Sequence, residues 1–490
     1  MKKLILPLLC AVLLFGCTPD DTYDVFIEGE IAEDTVSVLK IYSYNPDTLH
    51  PLHTKNSANL QMLKLVFEPL FLCDEEQRPL PVLAMDFSVS DDGLACTVNL
   101  KKNITWHDGT PFTAYDVEST YNGILGMGYD CIYYADVANI DNIICLSNHT
   151  IVFNLRQPQT NFVNLLEAPI VKQPWTDGFT PVGTGPYMYY DSENKSIYLN
   201  ANDNWWDGAP AIKAIEVKLL PDKNTSVFSF EAKTIDVVTV NMLNWSRYSS
   251  NLDSKIIEYP SGSFNYLYLN TDNEFLANNI IRQAVAHSIN KGRINTEVLL
   301  SRGTVTDSIF NPNWWMHSDI ASLFTYDVKR AIEKITEVNT DREKISLRLL
   351  VNEDNDIKFN VAGIIKDCLE EVGIEVQPEF VAWEEFLRRI DEREYDMYLG
   401  EMNYSPEVNP AYLLRHLPSY EAILNQLQYQ TTDNGRKMKY HELQQMIAQD
   451  IPLIPLYFDV EALFCASHVS GDIRPLRGNS FYNAARWEIE

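Results

Sequence analysis

The feature that most restricts the fold of this sequence is a strand–helix–strand pattern between residues 345 and 380. Residues 345–351 predict a strand, residues 357–372 predict a helix that ends at Gly373, and residues 374–380 predict a second strand. Two strands joined by one helix normally pair in parallel, and the crossover between them is right-handed. The C-terminal half of the chain is therefore predicted to have an α/β fold.

A second local pattern, in residues 106–117, predicts a strand that turns into a capped helix. Thr113 followed by Asp116 has the spacing of a capping box, in which each residue satisfies a backbone amide of the other. We expect this helix to end at Gly126, because glycine is the usual residue just beyond a helix. The pattern is explained by local structure and by itself assigns no function.

The length of 490 residues is about three times that of a typical domain of about 150 residues, so we expect two or three domains. Alternating apolar residues predict strands at 94–100 and 151–155, on either side of the capped helix. This N-terminal region is therefore predicted to be an α+β unit. Further along, residues 278–300 predict one long helix.

The charge of the chain is strongly negative. It has 39 Lys and Arg residues against 68 Asp and Glu residues, a formal net charge of -29. No cluster of basic residues interrupts this excess, which argues against binding to nucleic acid or to an anionic membrane surface. The same charge would attract a cationic ligand, although a solubilising surface is the simpler explanation.

The N-terminus resembles the signal of a bacterial lipoprotein. Lys2 and Lys3 precede an apolar run that is too short to span a bilayer and that ends at Gly16 and Cys17. The resemblance implies that residues 1–16 are a signal peptide and that the thiol of Cys17 carries lipid. An ordinary secretory signal cut elsewhere is the alternative. The acidic, aperiodic residues 17–34 would form a flexible tether.

The remaining polar and sulfur-containing residues suggest neither catalysis nor a metal site. The six other cysteines beyond the signal match no zinc-binding spacing, and we assign no disulfide to them. The sequence contains no nucleophile elbow, zinc-protease helix or phosphate-binding loop. His50 and His53 are separated by Pro51, which keeps them off a helix. We therefore expect no enzymatic activity, no cofactor and no bound metal.

Several motifs, in order, resemble family 5 of the bacterial extracellular solute-binding proteins, the oligopeptide, dipeptide and nickel receptors of ABC importers. The chain reads FEPL from Phe67, WHDGTPFTAYDV from Trp106, GTGPY from Gly183, NWWDGAP from Asn204 and IPLIPLY from Ile451. The resemblance covers essentially all of the chain beyond the signal.

The resemblance implies a two-lobed α/β fold of the periplasmic-binding-protein type, the type II Venus flytrap, with an extra α+β subdomain in lobe 1. The implied lobe 1 core comprises residues 35–56, 181–262 and 466–490, and the extra subdomain comprises residues 57–180. Lobe 2 comprises residues 263–465. The lobes of such a protein close over a ligand by a hinge motion.

The resemblance also implies a ligand site in loops at the carboxyl ends of strands, where open α/β sheets bind ligands. Peptide-binding members carry an aspartate that pairs with the peptide ammonium, and Pro406 takes its place here. Glu401 or Glu407 is a possible substitute, although either glutamate could equally be an exposed loop charge. The predicted ligand-binding residues are Tyr44, Asn45, Asn270, Asn352, Trp383, Glu401, Met402, Asn403, Tyr404 and Glu407.

The function implied by this resemblance is that of a substrate-binding lipoprotein of an ABC importer. Such a protein would capture a peptide or a related small solute and deliver it to a membrane permease with its ATPase. We expect a monomer that is held by lipid on the extracellular or periplasmic side of the membrane. A sensor of the same fold is the main alternative, a nickel or other solute binder is another, and an exported hydrolase has only the abundance of carboxylates in its favour.

Overall fold

A computed structural model describes residues 37–159, 161–173, 180–241, 254–318, 324–341 and 343–490. The predicted signal peptide, the cysteine expected to carry lipid (Cys17) and the predicted tether lie outside these described residues. Among the described helices, none combines the length and apolar character needed to cross a membrane.

The described part of the chain folds into both strands and helices. The strands are β1 (Val38–Tyr44), β2 (Phe71–Cys73), β3 (Pro79–Pro81), β4 (Ala84–Val89), β5 (Ala95–Leu100), β6 (Ile140–Ser147), β7 (Thr150–Leu155), β8 (Tyr187–Glu193), β9 (Ser196–Ala201), β10 (Ala214–Leu220), β11 (Val237–Asn241), β12 (Ser254–Leu269), β13 (Thr304–Val305), β14 (Ile345–Asn352), β15 (Ile374–Val381), β16 (Met397–Asn403), β17 (Leu453–Ala466), β18 (Val469–Gly471) and β19 (Trp487–Ile489). The α-helices are α1 (Ser57–Leu63), α2 (Ala114–Met127), α3 (Tyr134–Val137), α4 (Lys223–Glu231), α5 (Asn279–Ser288), α6 (Lys291–Glu297), α7 (Val328–Val338), α8 (Asp356–Glu371), α9 (Trp383–Asp391), α10 (Glu421–Gln428) and α11 (Asp433–Asp450).

Lobe 1 is built on a four-stranded sheet in the order β1-β10-β9-β8. β1 and β10 pair in parallel, whereas β9 is antiparallel to both of its neighbours. A second four-stranded sheet, β4-β5-β7-β6, is antiparallel throughout and carries α2. One continuous apolar core joins these two sheets, so the antiparallel unit is packed firmly on the rest of lobe 1.

The capped helix after the antiparallel strand β5 has the expected start but a different end. The backbone amide of Thr113 donates to the carboxylate of Asp116 over 2.7 Å, which confirms the predicted capping box. The helix continues through Gly126 to Met127, so the predicted end is wrong. Gly128 terminates it with a φ of 60°, a left-handed conformation that glycine adopts without steric cost.

Lobe 2 is built on part of a seven-stranded sheet in the order β11-β17-β12-β16-β14-β15, with β13 beside β17. β14 is parallel to both β15 and β16, and α8 connects β14 to β15, which confirms the predicted strand–helix–strand unit. Two apolar cores cover the opposite faces of this sheet. This sheet with its two cores and the two sheets of lobe 1 together form a two-lobed α/β protein.

Two long antiparallel strands connect the lobes. β12 has 16 residues and β17 has 14, and they pair from Ser254 with Ala466 to Tyr268 with Leu453. Their outer halves pack in lobe 1 beside β11, and their inner halves lie in the lobe 2 sheet. The register between them shifts from Pro260 to Phe264, where a bulge marks the passage between lobes.

The predicted long helix over residues 278–300 is wrong, because the structure has two helices, α5 and α6, in its place. The break falls at Ile289 and Asn290. The Asn290 side chain accepts a hydrogen bond from the backbone amide of Arg293 over 2.9 Å and so caps the second helix. Asparagine is a strong N-cap residue, and it here starts a new helix within an apparently continuous pattern.

Candidate functional site

A polar cavity of about 400 Å³ lies where the connecting strands enter lobe 2. We call it the interlobe cavity. Its walls come from β12, β16, β17 and the segment that leads into α8. The lining residues are Ser261, Ser263, Asn265, Asp354, Asn355, Asp356, Ile357, Glu401, Asn403, Tyr457, Asp459, Val460 and Glu461.

The polar lining follows from the two-residue period of the strands. On β16, Glu401 and Asn403 share a face with the buried Met397 and Leu399, and α8 covers that face where it is apolar. α8 begins only at Asp356, so it leaves the end of the sheet uncovered. The cavity therefore lies at the carboxyl ends of the parallel strands β14 and β16, the end at which open α/β sheets bind ligands.

The carboxylates of the cavity are held by neighbouring polar groups. The Ser263 hydroxyl donates to Glu401 over 2.8 Å, and the Lys358 ammonium lies 3.1 Å from the other oxygen of the same carboxylate. The Asn265 amide donates to the carboxylate of Asp459 over 3.3 Å. These partners fix the positions of both acids, which is a requirement for selective binding.

The electrostatics of the cavity favour a positive ligand. Burial, followed by the nearby charge of Glu401, raises the pKa of Asp459 to about 6. Burial and the same two carboxylates raise the pKa of the Tyr457 hydroxyl well above its ordinary value, so it stays protonated and can donate. A cation in the cavity would relieve the repulsion between these acids.

Comparison with known proteins decides the family. The family model described as "Bacterial extracellular solute-binding proteins, family 5 Middle" matches residues 78–422, which is more than half of the chain. The chain belongs to this family. Its members bind solutes and are not enzymes, which confirms the expectation that this family 5 protein has no catalytic activity.

Individual relatives agree with this assignment. Oligopeptide-binding protein AppA of Bacillus subtilis is 24% identical over 487 residues, covering 90% of this chain and 89% of the relative. Heme-binding protein A of Haemophilus influenzae is 22% identical over 457 residues, covering 83% and 84%. The ABC transporter substrate-binding protein CtaP of Listeria monocytogenes matches in structure with a TM-score of 0.79 at 20% identity, covering 93% of this chain and 99% of the other.

Three of the residues predicted for the ligand site of this family 5 protein lie in or beside the interlobe cavity. Glu401 and Asn403 line it. Asn352 ends β14 next to the rim, and its side-chain oxygen accepts a hydrogen bond from the amide of Asp354 over 3.2 Å. The structure thus brings these residues together with Asn355, which caps α8 through the amide of Lys358.

Two other predicted residues, Met402 and Tyr404, lie on the opposite face of the sheet. The Tyr404 ring belongs to an aromatic core with Phe264 and Phe310, at centroid distances of 6.1 and 6.0 Å, and Met402 packs against this core. Residues 400–403 belong to strand β16 and not to a loop at its carboxyl end. Its side chains therefore alternate between the cavity and the core.

Four of the predicted residues lie neither in the interlobe cavity nor in a contact between the lobes. Tyr44 ends β1 and is half-buried, and Asn45 follows it on the surface. Asn270 lies at the far end of β12, where its amide donates to the Tyr395 carbonyl over 2.8 Å. Trp383 is exposed at the start of α9.

Glu407 lies in a contact between the two lobes. The Asn161 amide donates to the Glu407 carbonyl over 3.2 Å, and the Asn164 amide donates to the Pro406 carbonyl over 3.1 Å. We call these four residues the interlobe latch. Burial raises the pKa of the Glu407 carboxyl. The segment in which peptide-binding members are expected to hold an ammonium therefore contacts the extra subdomain in this protein.

A second cavity, of about 240 Å³, is formed by lobe 1 residues. Its buried Glu68 accepts hydrogen bonds from the indoles of Trp205 and Trp206, over 3.2 and 3.0 Å, and burial raises the pKa of this carboxyl to about 7. The Glu68 carboxylate is thus already held by two indole donors of the same cavity. We call this space the lobe 1 cavity.

Metal binding has no support in the described part of the chain. No group of three or more His, Cys, Asp or Glu side chains there is arranged to hold a metal ion. The six described cysteines, Cys73, Cys96, Cys131, Cys145, Cys368 and Cys465, are free thiols.

Sequence reasoning missed Asp459, Tyr457, Asn265 and Ser263. One signal was present, because Asp459 interrupts an apolar strand between Phe458 and Val460. A carboxylate in such a strand is costly unless it is paired or faces a polar space.

Proposed function

We propose that this protein is the solute-binding subunit of an ABC importer, which captures a peptide or a related small solute between its lobes. The captured solute would then be delivered to a membrane permease whose ATPase drives transport. The observation that carries this proposal is the interlobe cavity, formed by the strands that connect the lobes. Its volume of about 400 Å³ falls within the roughly 300–1,000 Å³ that is usual for small-molecule sites.

The proposed lobe boundaries follow from the same strands. We place the lobe 1 core in residues 35–56, 181–262 and 466–490, the extra subdomain in residues 57–180, and lobe 2 in residues 263–465. The boundary at residue 262 falls at the register shift of β12, whereas the boundary at residue 465 falls at the end of β17, beyond the residues of that strand that pair with β11. Hinge motion in two such strands would open and close the cavity without disturbing either core.

The proposed location is the extracellular or periplasmic face of the cell membrane. Residues 1–16 would be a lipoprotein signal, Cys17 would carry the lipid, and residues 17–34 would be the tether of a monomeric receptor. Two or more acyl chains suffice for stable anchoring. A Cys17→Ser variant should be released from the membrane, whereas the matched Cys10→Ser variant within the signal should stay anchored.

The transport role is tested by deletion of the gene and identification of the bound solute. The tagged protein, purified from its own host, should retain a solute that mass spectrometry identifies. Deletion should abolish uptake of that solute, and expression of the wild-type chain should restore it. If a retained solute is still imported at the normal rate by the deletion strain, the protein is a sensor rather than an importer subunit.

A further inference from the structure

We infer that the lobe 1 cavity binds an uncharged aromatic molecule that carries a hydrogen-bond donor, of the phenol or indole type. The linings of this cavity and of the interlobe cavity share no residue. The occupant would therefore be a second molecule, distinct from the solute that the lobes are proposed to capture. The inference goes beyond the proposed function and does not depend on it.

The first observation is that the walls are mostly apolar, although they come from segments that are distant in sequence. They are formed by residues 64–69, by β2 and β3, by the turn at Trp205 and Trp206, and by residues 479–485. Ligand sites typically combine such apolar walls with a few polar groups. The apolar lining residues are Leu65, Phe67, Pro69, Leu72, Leu80, Pro81, Val82, Pro169, Pro186, Trp205, Trp206, Phe481, Ala484 and Ala485.

The size and the ring surfaces of the cavity fit one aromatic molecule. An apolar cavity of about 150 Å³ in an engineered protein binds benzene. The lobe 1 cavity, at about 240 Å³, has room for a ring and a small substituent. Trp205 and Trp206 lie 5.4 Å apart between ring centroids, and both donate their indole N–H groups to Glu68. The two indoles therefore offer ring surface to an occupant, and aromatic rings pack favourably on one another.

The second observation is a buried hydrogen-bond acceptor without a partner. Asn479 belongs to the lining and is 8% exposed. Its backbone amide and carbonyl exchange hydrogen bonds with Leu476, but its side-chain Oδ1 is buried and accepts no hydrogen bond from the described part of the chain. An unpaired buried acceptor is costly, and most such groups in proteins have a partner. An O–H or N–H group on the occupant would supply it.

The third observation is that the cavity disfavours ions of either sign. Four charged groups of the lining have a pKa that burial, as the main cause, shifts toward the neutral form, which means upward for the acids and downward for the lysines; they are Lys64, Glu68, Lys101 and Glu167. The pKa of Glu68 reaches about 7. The same desolvation would act on a charged occupant, so an uncharged one is favoured.

A route into the cavity exists at its edge. Asp207 and Pro81 belong to the lining and are exposed, so the cavity reaches the surface beside them. Asp207 forms an ion pair with Arg486 over 3.1 Å, and its charge is thus already compensated. Water could enter by the same route, but it would leave the apolar walls hydrated, whereas an aromatic ring covers them.

The test uses 4-fluorophenol as the probe and measures its Kd for the purified protein by ¹⁹F NMR titration. Fluorobenzene lacks the donor, and 4-fluorobenzoate carries a charge. The variants are Asn479→Leu, which removes the acceptor, and Leu80→Trp, which adds bulk to the cavity wall. Asn224→Leu, exposed on α4 and outside both cavity linings, is the control for the exchange of asparagine for leucine. Thermal unfolding verifies that each variant is folded.

The inference predicts that the wild type binds 4-fluorophenol about two- to tenfold more tightly than fluorobenzene, which is the usual effect of one neutral hydrogen bond. Binding of 4-fluorobenzoate should be at least tenfold weaker than that of 4-fluorophenol. Asn479→Leu should bind 4-fluorophenol and fluorobenzene equally, and Leu80→Trp should bind both at least tenfold more weakly. Asn224→Leu should behave like the wild type.

Three results would overturn the inference. They are no detectable binding of 4-fluorophenol at its solubility limit, binding of 4-fluorobenzoate as tight as that of 4-fluorophenol, and an unchanged Kd for 4-fluorophenol in both folded Asn479→Leu and folded Leu80→Trp. The last result would mean that the probe binds elsewhere on the protein. Each of these results leaves the proposed capture of a solute in the interlobe cavity intact, because the probe and the variants concern only the lobe 1 cavity.

Discussion

Asp459→Asn should stabilise the ligand-free protein at neutral pH, because the wild-type carboxylate is ionised in a partly buried, acidic cavity. Its pKa is raised from 3.8 to about 6. At about 1.4 kcal/mol per pKa unit, keeping this group charged costs up to about 3 kcal/mol, and solvent at the cavity mouth reduces the figure to about 1–2 kcal/mol. The amide of asparagine keeps an oxygen for the hydrogen bond from Asn265.

The pH dependence of this effect has a defined sign. Between about pH 4 and pH 6 the folded protein binds more protons at Asp459 than the unfolded chain does, so the wild type loses stability as the pH rises. The asparagine variant does not titrate. Its advantage should therefore be near zero at about pH 4 and should reach its full value above about pH 7.

Urea unfolding of both proteins across this pH range measures the difference. Glu68 and Asp136 also have raised pKa values, to about 7 and about 6, but their contributions cancel when the variant is compared with the wild type. Glu371→Gln serves as the control. A variant that is less stable than the wild type at every pH, or a difference that does not change with pH, would refute the reasoning about Asp459.

Three other predictions concern packing, lobe closure and thiol exposure. Gly183→Ala should destabilise the protein by about 1–3 kcal/mol, because the added methyl group would lie 2.6 Å from the carbonyl carbon of Val66. Gly126→Ala, with open space in helix α2, should gain up to about 1 kcal/mol, and equal thermal midpoints for the two variants would contradict this packing. Asn164→Ala in the interlobe latch should raise the apparent Kd for the solute retained from the host about two- to tenfold, because it lowers the population of the closed form. Unchanged affinity in titration calorimetry would show that the latch does not assist closure. Cys145 is the least buried described cysteine and should be alkylated first in the native protein, whereas earlier labelling of a buried cysteine would contradict the core packing.

The fold could be predicted where the sequence pattern is local. The strand–helix–strand unit of β14, α8 and β15 was visible because each element has its own periodicity and Gly373 marks the helix end. The division of residues 278–300 into two helices was missed, since an apolar face continues across Asn290. That residue is nevertheless a good N-cap, so the local signal existed and was overridden by the longer pattern.

The site could be predicted only in part, because it depends on pairing between distant strands. Glu401 and Asn403 were found from the resemblance, but Met402 between them faces the core, a consequence of strand geometry rather than composition. Asp459 reaches Asn265 across 194 residues of sequence, through the register of β12 and β17. No periodicity within either segment encodes that register.

The most direct test of the account is a crystal structure of the protein purified from its own host with its retained solute. The solute is expected to occupy the interlobe cavity, with the lobes closed over it. A retained solute bound only in the lobe 1 cavity beside Glu68, or only outside both cavities, would contradict it.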